Sequence, residues 1–284
     1  MKKLILSVMA ITFAALVLVG CGSGSSSDGA TAEDTATTEK TTVDYGEGFV
    51  FKHGFDKDFP PYSYIDDNGE TTGFDVELAQ AVCELNGWEY QPVPVNWDSK
   101  DLELNSGSCD CIWSGFTKSP AREAAYCWSE PYSINTQMIM VLEDSEIKTL
   151  DDLAGKKVGV QIGTSALDML ETPKEEGGCK ELADTFGSVE SMDTYTNAVA
   201  ELKAGAIDAI AIDVTTGNFQ MSKQKGLKYL DEKLGDEVYA IGFRTDDTEL
   251  RDKVNEALST LAENGKMDEI GKKYEDIYDS LSMI

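Results

Sequence analysis

Apolar and polar residues follow two periods along this chain, and the switches between them mark out strands and helices. "FDVELAQAVCELNG" places Phe74, Leu78, Val82 and Leu85 at helical spacing, with Asn86-Gly87 as the stop. "WEYQPVPV" reads as a strand, and "KKVGVQIGTSALDMLE" as strand, tight turn and helix, with Gly163, Thr164 and Ser165 at the helix start. "TNAVAELKAG" has Ala198, Val199 and Leu202 at helical spacing before Gly205, and "EVYAIGF" reads as a further strand. The tail holds two helices, one around "ELRDKVNEALSTLAENG" and one around "MDEIGKKYEDIYDSL". Strands alternating with helices imply an α/β fold with mostly parallel sheets.

One stretch of this pattern occurs twice. "LNSGSCDCIWSG" spaces Leu104, Gly107, Asp110 and Ile112 as "LKAGAIDAIAID" spaces Leu202, Gly205, Asp208 and Ile210. Each reads as a helix ending near a glycine, followed by a short apolar strand. The match aligns Gly115 with Asp213, both just past a strand end, where open α/β sheets bind ligands.

The N-terminus departs from this pattern. Lys2 and Lys3 precede an apolar run from Leu4 to Val19, and "LVGC" ends it at Cys21. Residues 1–20 read as a signal peptide, and small residues before a cysteine resemble a bacterial lipobox that would lipidate Cys21. A plain membrane anchor is the alternative. Residues 21–42, rich in Gly, Ser and Thr, read as a flexible tether to the outer face of the membrane.

Charge and cysteines then narrow the classes. Acidic residues number 52 against 24 basic ones, a formal charge of -28 that becomes -30 once Lys2 and Lys3 leave. Such a surface repels nucleic acid, whose binding needs cationic side chains. Beyond Cys21 there are Cys83, Cys109, Cys111, Cys127 and Cys179, an odd set that reads as buried and mostly unpaired, with one disulfide open. A single histidine, His53, and no CxxC give a metal site little support, and nothing calls for a cofactor.

Arg122, the only arginine in the first half of the chain, closes "SGFTKSPAR", a run of hydroxyls and backbone donors suited to a carboxylate. Together with "FPPYSY", "GFDVELAQAV", "WSEPY", "GKKVGVQIGTS", "AGAIDAIAID" and "NGKMDEIGKKY", it resembles the extracellular solute-binding proteins of ABC importers for polar amino acids, from about Phe49 to Tyr278. The resemblance implies a two-lobed periplasmic-binding fold of type II, with residues 43–135 and 239–284 in lobe 1 and 136–238 in lobe 2. Two hinge strands would cross near "EPYSIN" and "DEVYAIG".

By the same resemblance, Arg122 would grip the carboxylate of a free amino acid, assisted by Ser114 and Thr117 and by Thr164 and Ser165 from the other lobe. Gly115 would offer a carbonyl to the ammonium, and Asp213 would pair with it. Phe59 and Trp97 would sandwich the side chain, with Asp56 near the mouth. Each has a plainer alternative: Arg122 pairing with Glu123 or Glu130, Asp213 a turn residue, Phe59 and Trp97 core aromatics, Thr164 and Ser165 a helix cap. Trp113 either walls the pocket or packs. The implied protein is a monomeric, lipid-anchored receptor that delivers an amino acid to an ABC permease and its ATPase, and is not an enzyme. A dehydratase of cyclic amino-acid precursors and an amino-acid-binding sensor or adhesin are the competing readings.

Overall fold

A computed structural model describes residues 43–283 of the chain, so the leader, the tether and Cys21 lie outside the described residues. The chain enters through β1 (Val50–Phe55), then a small antiparallel sheet of β2 (Asp58–Phe59), β3 (Ser63–Ile65) and β4 (Thr71–Thr72). Helix α1 (Phe74–Asn86) leads to β5 (Glu89–Pro94), α2 (Lys100–Asn105), β6 (Cys111–Ile112), β7 (Thr117–Lys118) and β8 (Cys127–Trp128). Next come β9 (Ser133–Leu142), β10 (Lys157–Gln161), α3 (Ser165–Glu171), α4 (Lys180–Ala183), β11 (Ser188–Met192), α5 (Tyr195–Ala204) and β12 (Ala209–Asp213). The chain closes with α6 (Val214–Lys223), β13 (Leu227–Tyr239), β14 (Gly242–Phe243), α7 (Thr248–Glu263) and α8 (Lys266–Gly271).

These strands form two principal sheets, ordered β5-β1-β6-β14-β8 and β11-β10-β12-β9-β13-β7. In the first, β1 pairs parallel with β5 and β6; in the second, β10 pairs parallel with β11 and β12. The remaining pairings are antiparallel, so both sheets are mixed where the sequence suggested mostly parallel ones. The reason is that β8–β9 and β13–β14 pass from one sheet to the other as a single antiparallel ribbon, Trp128 opposite Gly242 and Ser133 opposite Tyr239, so that β14 lies antiparallel to β6 and β9 to β12. Helices α1, α7 and α8 pack on one another beside the first sheet, and α3, α5 and α6 cover the second.

The duplicated sequence is also duplicated in hydrogen bonds. Asp110 Oδ2 accepts from the Lys52 amide at 2.9 Å, and Asp208 Oδ2 accepts from the Lys157 amide at 2.8 Å. Each aspartate amide donates back to the same lysine's carbonyl at 2.8 Å. The aspartate thus ties the start of β6 to β1, and of β12 to β10, which fixes the register that brings both strand ends to one cleft. Gly107 and Gly205, at φ 78 and 73, make the left-handed exits from α2 and α5 that this requires.

Four sequence expectations need correction. Leu85 is 47% exposed rather than on the buried face of α1, where Phe74, Leu78 and Val82 lie. The strand ending in "EVY" begins twelve residues earlier than its last residue, at Leu227, and α8 stops at Gly271. Cys83, Cys109 and Cys111 are buried, but Cys127 and Cys179 are only half-buried; all five are free thiols. Trp113 is wholly buried and packs at 6.2 Å against Tyr132, so it belongs to the core.

Candidate functional site

The carboxyl ends of β1, β5 and β6 meet those of β10 and β12, and almost every residue singled out from the sequence sits there. Phe59, Trp97, Gly115 and Arg122 approach from the segments around the first sheet, and Thr117 from β7, which pairs with β13 at the edge of the second. Thr164, Ser165 and Asp213 approach from the second, and together with Phe116 these residues line a cavity of about 10 Å³. Asp56 and Ser114 lie behind this lining. The Ser114 hydroxyl accepts from the Asp56 amide at 3.2 Å and contacts the Ser63 hydroxyl at 2.6 Å, so it braces the loop.

Local structure explains each placement. Gly115 has φ 54, and a Cβ there would come within 2.6 Å of the Phe59 ring, so only glycine lets the loop pass beneath that aromatic. Its amide donates to Asp75 Oδ2 at 2.7 Å, which anchors the loop to the first turn of α1. Thr164 caps α3, its hydroxyl accepting from the Leu167 amide at 3.5 Å and donating to the Gln161 carbonyl at 2.7 Å. The cap reading therefore holds for Thr164, on a residue that also lines the cavity. Thr117 donates to the Ser165 hydroxyl at 3.0 Å, which ties β7 to the start of α3.

Arg122 pairs with neither Glu123 nor Glu130. Its Nη2 lies 2.7 Å from Asp168 Oδ2 on α3 and 3.2 Å from the Gly163 carbonyl, with Nη1 3.5 Å from the Thr117 carbonyl. The guanidinium also sits 5.1 Å from the centre of the Phe116 ring. A second cation, Lys100, donates to the carbonyls of Trp97 at 3.2 Å and Gly163 at 3.0 Å. Burial, and next the charge of Arg122, push its ammonium down to about 8.

Asp213 faces this positive end from β12. One oxygen, Oδ1, accepts from Asn135 Nδ2 at 2.8 Å, Gln137 Nε2 at 2.7 Å and the Tyr239 hydroxyl at 2.5 Å. The other, Oδ2, is buried and makes no well-formed hydrogen bond among the described residues, with the buried Tyr195 hydroxyl its neighbouring donor. Burial, followed by the nearby Glu237 charge, holds this carboxyl above the usual carboxylate range. Glu237 shares both amide donors, at 2.7 Å from Asn135 and 2.9 Å from Gln137.

The sequence reading missed Asn135, Gln137, Gln161, Asp168, Glu237 and Tyr239. A signal existed for two of them: Asn135 and Gln137 stand two apart in the apolar strand "SINTQMIM", hence on one face. For Gln161, a polar residue ending "KVGVQ" parallels Asp213 ending "AIAID".

Two α/β halves that meet at their strand ends around opposed charges define a small-solute receptor fold, and sequence comparison agrees. Residues 51–276 match the model of the bacterial extracellular solute-binding proteins, family 3, and the chain belongs to that family. It is similar to the arginine-binding extracellular protein ArtP of Bacillus subtilis (strain 168), at 34% identity over 96% of this chain and 98% of that protein. The L-cystine-binding protein TcyJ of Escherichia coli is 29% identical over 78% of this chain and 80% of its own length. Among solved structures, an ABC uptake transporter substrate-binding protein from Streptococcus pneumoniae with bound histidine superposes with a TM-score of 0.76 at 31% identity, covering 82% of this chain and 94% of that one.

Proposed function

We propose that this protein is an extracellular receptor that captures a free, polar amino acid between its two lobes and hands it to an ABC permease driven by its ATPase. The observation that carries the reading is the pair of unequal charges facing the cavity: Arg122 on one side and, on the other, Asp213 with Oδ1 saturated and Oδ2 short of a well-formed hydrogen bond. A zwitterion matches both, its carboxylate at Arg122, Thr117 and Ser165, its ammonium at Asp213 and the Gly115 carbonyl. Phe59 and Trp97 would flank its side chain. The names of the relatives, which bind arginine, cystine and histidine, point the same way. The lobes would comprise residues 43–135 with 239–284, and 136–238, a division supported by β9 and β13 being the long strands near its boundaries. Lipid on Cys21 would hold the receptor, as a monomer, at the outer face of the membrane.

The reading is binding without turnover. The test is calorimetry on the purified protein, unfolded and refolded to strip carried ligand. Arg122→Ala should abolish binding of amino acids while the melting temperature stays within a few degrees; unchanged affinity removes the carboxylate assignment. Asp213→Asn should weaken amino acids at least about tenfold more than their deaminated analogues. Equal losses for both would remove the ammonium assignment. Conversion of a prephenate-type compound would replace the receptor reading with the dehydratase one.

A further inference from the structure

Asp213 has a companion acid that the amino-acid reading leaves unused. Glu237 and Tyr239 stand two apart on β13, Asn135 and Gln137 two apart on β9, and Glu237 lies opposite Asn135 in the ladder. Alternation therefore puts all four side chains on one face of this ribbon, against the end of β12. Asn135 Nδ2 directs its hydrogens to two carboxylates, Asp213 Oδ1 at 2.8 Å and Glu237 Oε1 at 2.7 Å. Its own Oδ1 accepts from the Thr215 hydroxyl at 3.3 Å, which fixes the amide this way round. Gln137 Nε2 repeats the arrangement, at 2.7 Å from Asp213 and 2.9 Å from Glu237. Two acids thus share one pair of neutral donors, and among the described residues neither forms an ion pair with a basic side chain.

The surrounding groups do not supply the missing charge. Tyr195 of α5, Tyr229 and Tyr239 of β13, and Tyr62 from the first sheet's side are neutral, burial raising each hydroxyl above its usual value. Arg122 lines the far side of the cavity and is paired with Asp168. Lys118 and Asp236 border the void beside Glu237, but Lys118 faces Glu123 at 3.6 Å and Asp236 pairs with Lys233. Glu176 borders it too and adds negative charge.

We infer that Asp213 and Glu237 act as one coupled acid pair, which keeps a proton in the empty receptor and releases it when the ligand's ammonium arrives, with Glu237 as the positioning residue that governs the exchange. The inference rests on the amino-acid reading above and adds a proton to its stoichiometry. Like carboxylates that share donors in a buried site resist ionising together. The arriving ammonium keeps its own hydrogens and donates to Asp213, and the displaced proton passes to solvent, so one positive charge replaces another. Burial, and next the Glu237 charge, hold the Asp213 carboxyl above the usual range, so capture weakens as pH falls, by up to about tenfold per unit once the pair is protonated.

The experiment is titration calorimetry with the common amino acids other than histidine and cysteine, whose side chains titrate nearby, from about pH 5.5 to about 8 in buffers of different ionisation enthalpy. In the unaltered protein the heat should vary with the buffer and report about half a proton or more released per ligand near neutral pH. Glu237→Gln, equal in length and neutral, should move the midpoint of the affinity–pH curve down by about one unit and cut the release near neutral pH at least by about half. Asp56 and Asp75 also titrate in this range and do so in both proteins, so the difference between the two isolates the pair. Melting curves check that the variant folds. Heat independent of buffer in the unaltered protein overturns the inference whatever the variant does. So does a variant that binds more weakly by the same factor at every pH with its proton count intact, the result a purely structural Glu237 would give. If no amino acid binds at all, the amino-acid reading falls and takes the inference with it; binding without proton release removes the inference alone.

Discussion

Asp75 shows how one side chain reaches the cleft without entering it. Wholly buried in the first turn of α1, it accepts from the Gly115 amide at 2.7 Å and the Tyr132 hydroxyl at 2.8 Å. Burial lifts its carboxyl from 3.8 to about 7. The folded chain therefore holds that proton more tightly than the unfolded one. The stabilisation is complete below the unfolded value and is lost as pH rises through about 7. Asp75→Asn should accordingly gain on the unaltered protein by roughly 2 kcal/mol between pH 5 and 8, read from urea unfolding at each pH. A constant difference across that range would mean the carboxyl does not titrate there. "GFDVELAQAV" announced the helix but not this bond, because its partner lies forty residues along the chain. The same limit hid Asp168 as the partner of Arg122: residue type and motif marked the arginine, while pairing depended on how the two halves meet.

Among the elements, those with a clean period were legible and those shaped by tertiary contact were not. Helix α1, the β10–α3 turn and the α5–β12 unit fall where periodicity and glycine stops put them. Strand β13 escaped because "LKYLDEKLGDEVY" carries five acids and lysines in its middle, and its pairing with β9 shifts register between Tyr229 and Gly235. That strand runs half-exposed, so no alternation was there to read. The start of α1 also sets a testable constraint. Gly73 has φ 124, and a Cβ there would lie 2.3 Å from the Tyr62 carbonyl oxygen, an atom of the backbone. Gly73→Ala should cost about 2 kcal/mol or more in chemical denaturation, since the conformation and the space are both refused. A loss below half of that would show that the β3–β4 hairpin gives way to make room.

Over the whole molecule, charge is the dominant unbalanced quantity. A formal -28 acts on every exposed carboxylate at once, while pairs such as Lys180–Asp184 and Lys272–Asp268 are exposed and individually weak. Raising ionic strength from about 0.01 to about 0.15 M shortens screening from about 30 to about 8 Å. The melting temperature should therefore rise by a few degrees, on the order of 1 kcal/mol. A fall would mean that attractive pairs outweigh the repulsion. At this scale the sequence showed an α/β chain with a cleft at strand ends, and the duplicated Leu–Gly–Asp–Ile spacing was its most informative mark. Ligand selectivity was not legible, because it depends on which polar atoms remain unmatched once the halves come together.

The thiols of the two sheets have a practical consequence. Cys127 lies in β8 of the first, and Cys179 precedes α4 beside the second; burial raises the Cys127 thiol and pushes Cys179 up to about 11, but both are half-buried, whereas Cys83 and Cys109, pushed up to about 12, are closed off from solvent. Maleimide chemistry should therefore favour one attachment point on each side of the cleft. A donor dye on one and an acceptor on the other turn the native chain, without any engineered cysteine, into a molecular ruler whose energy transfer follows each capture and release.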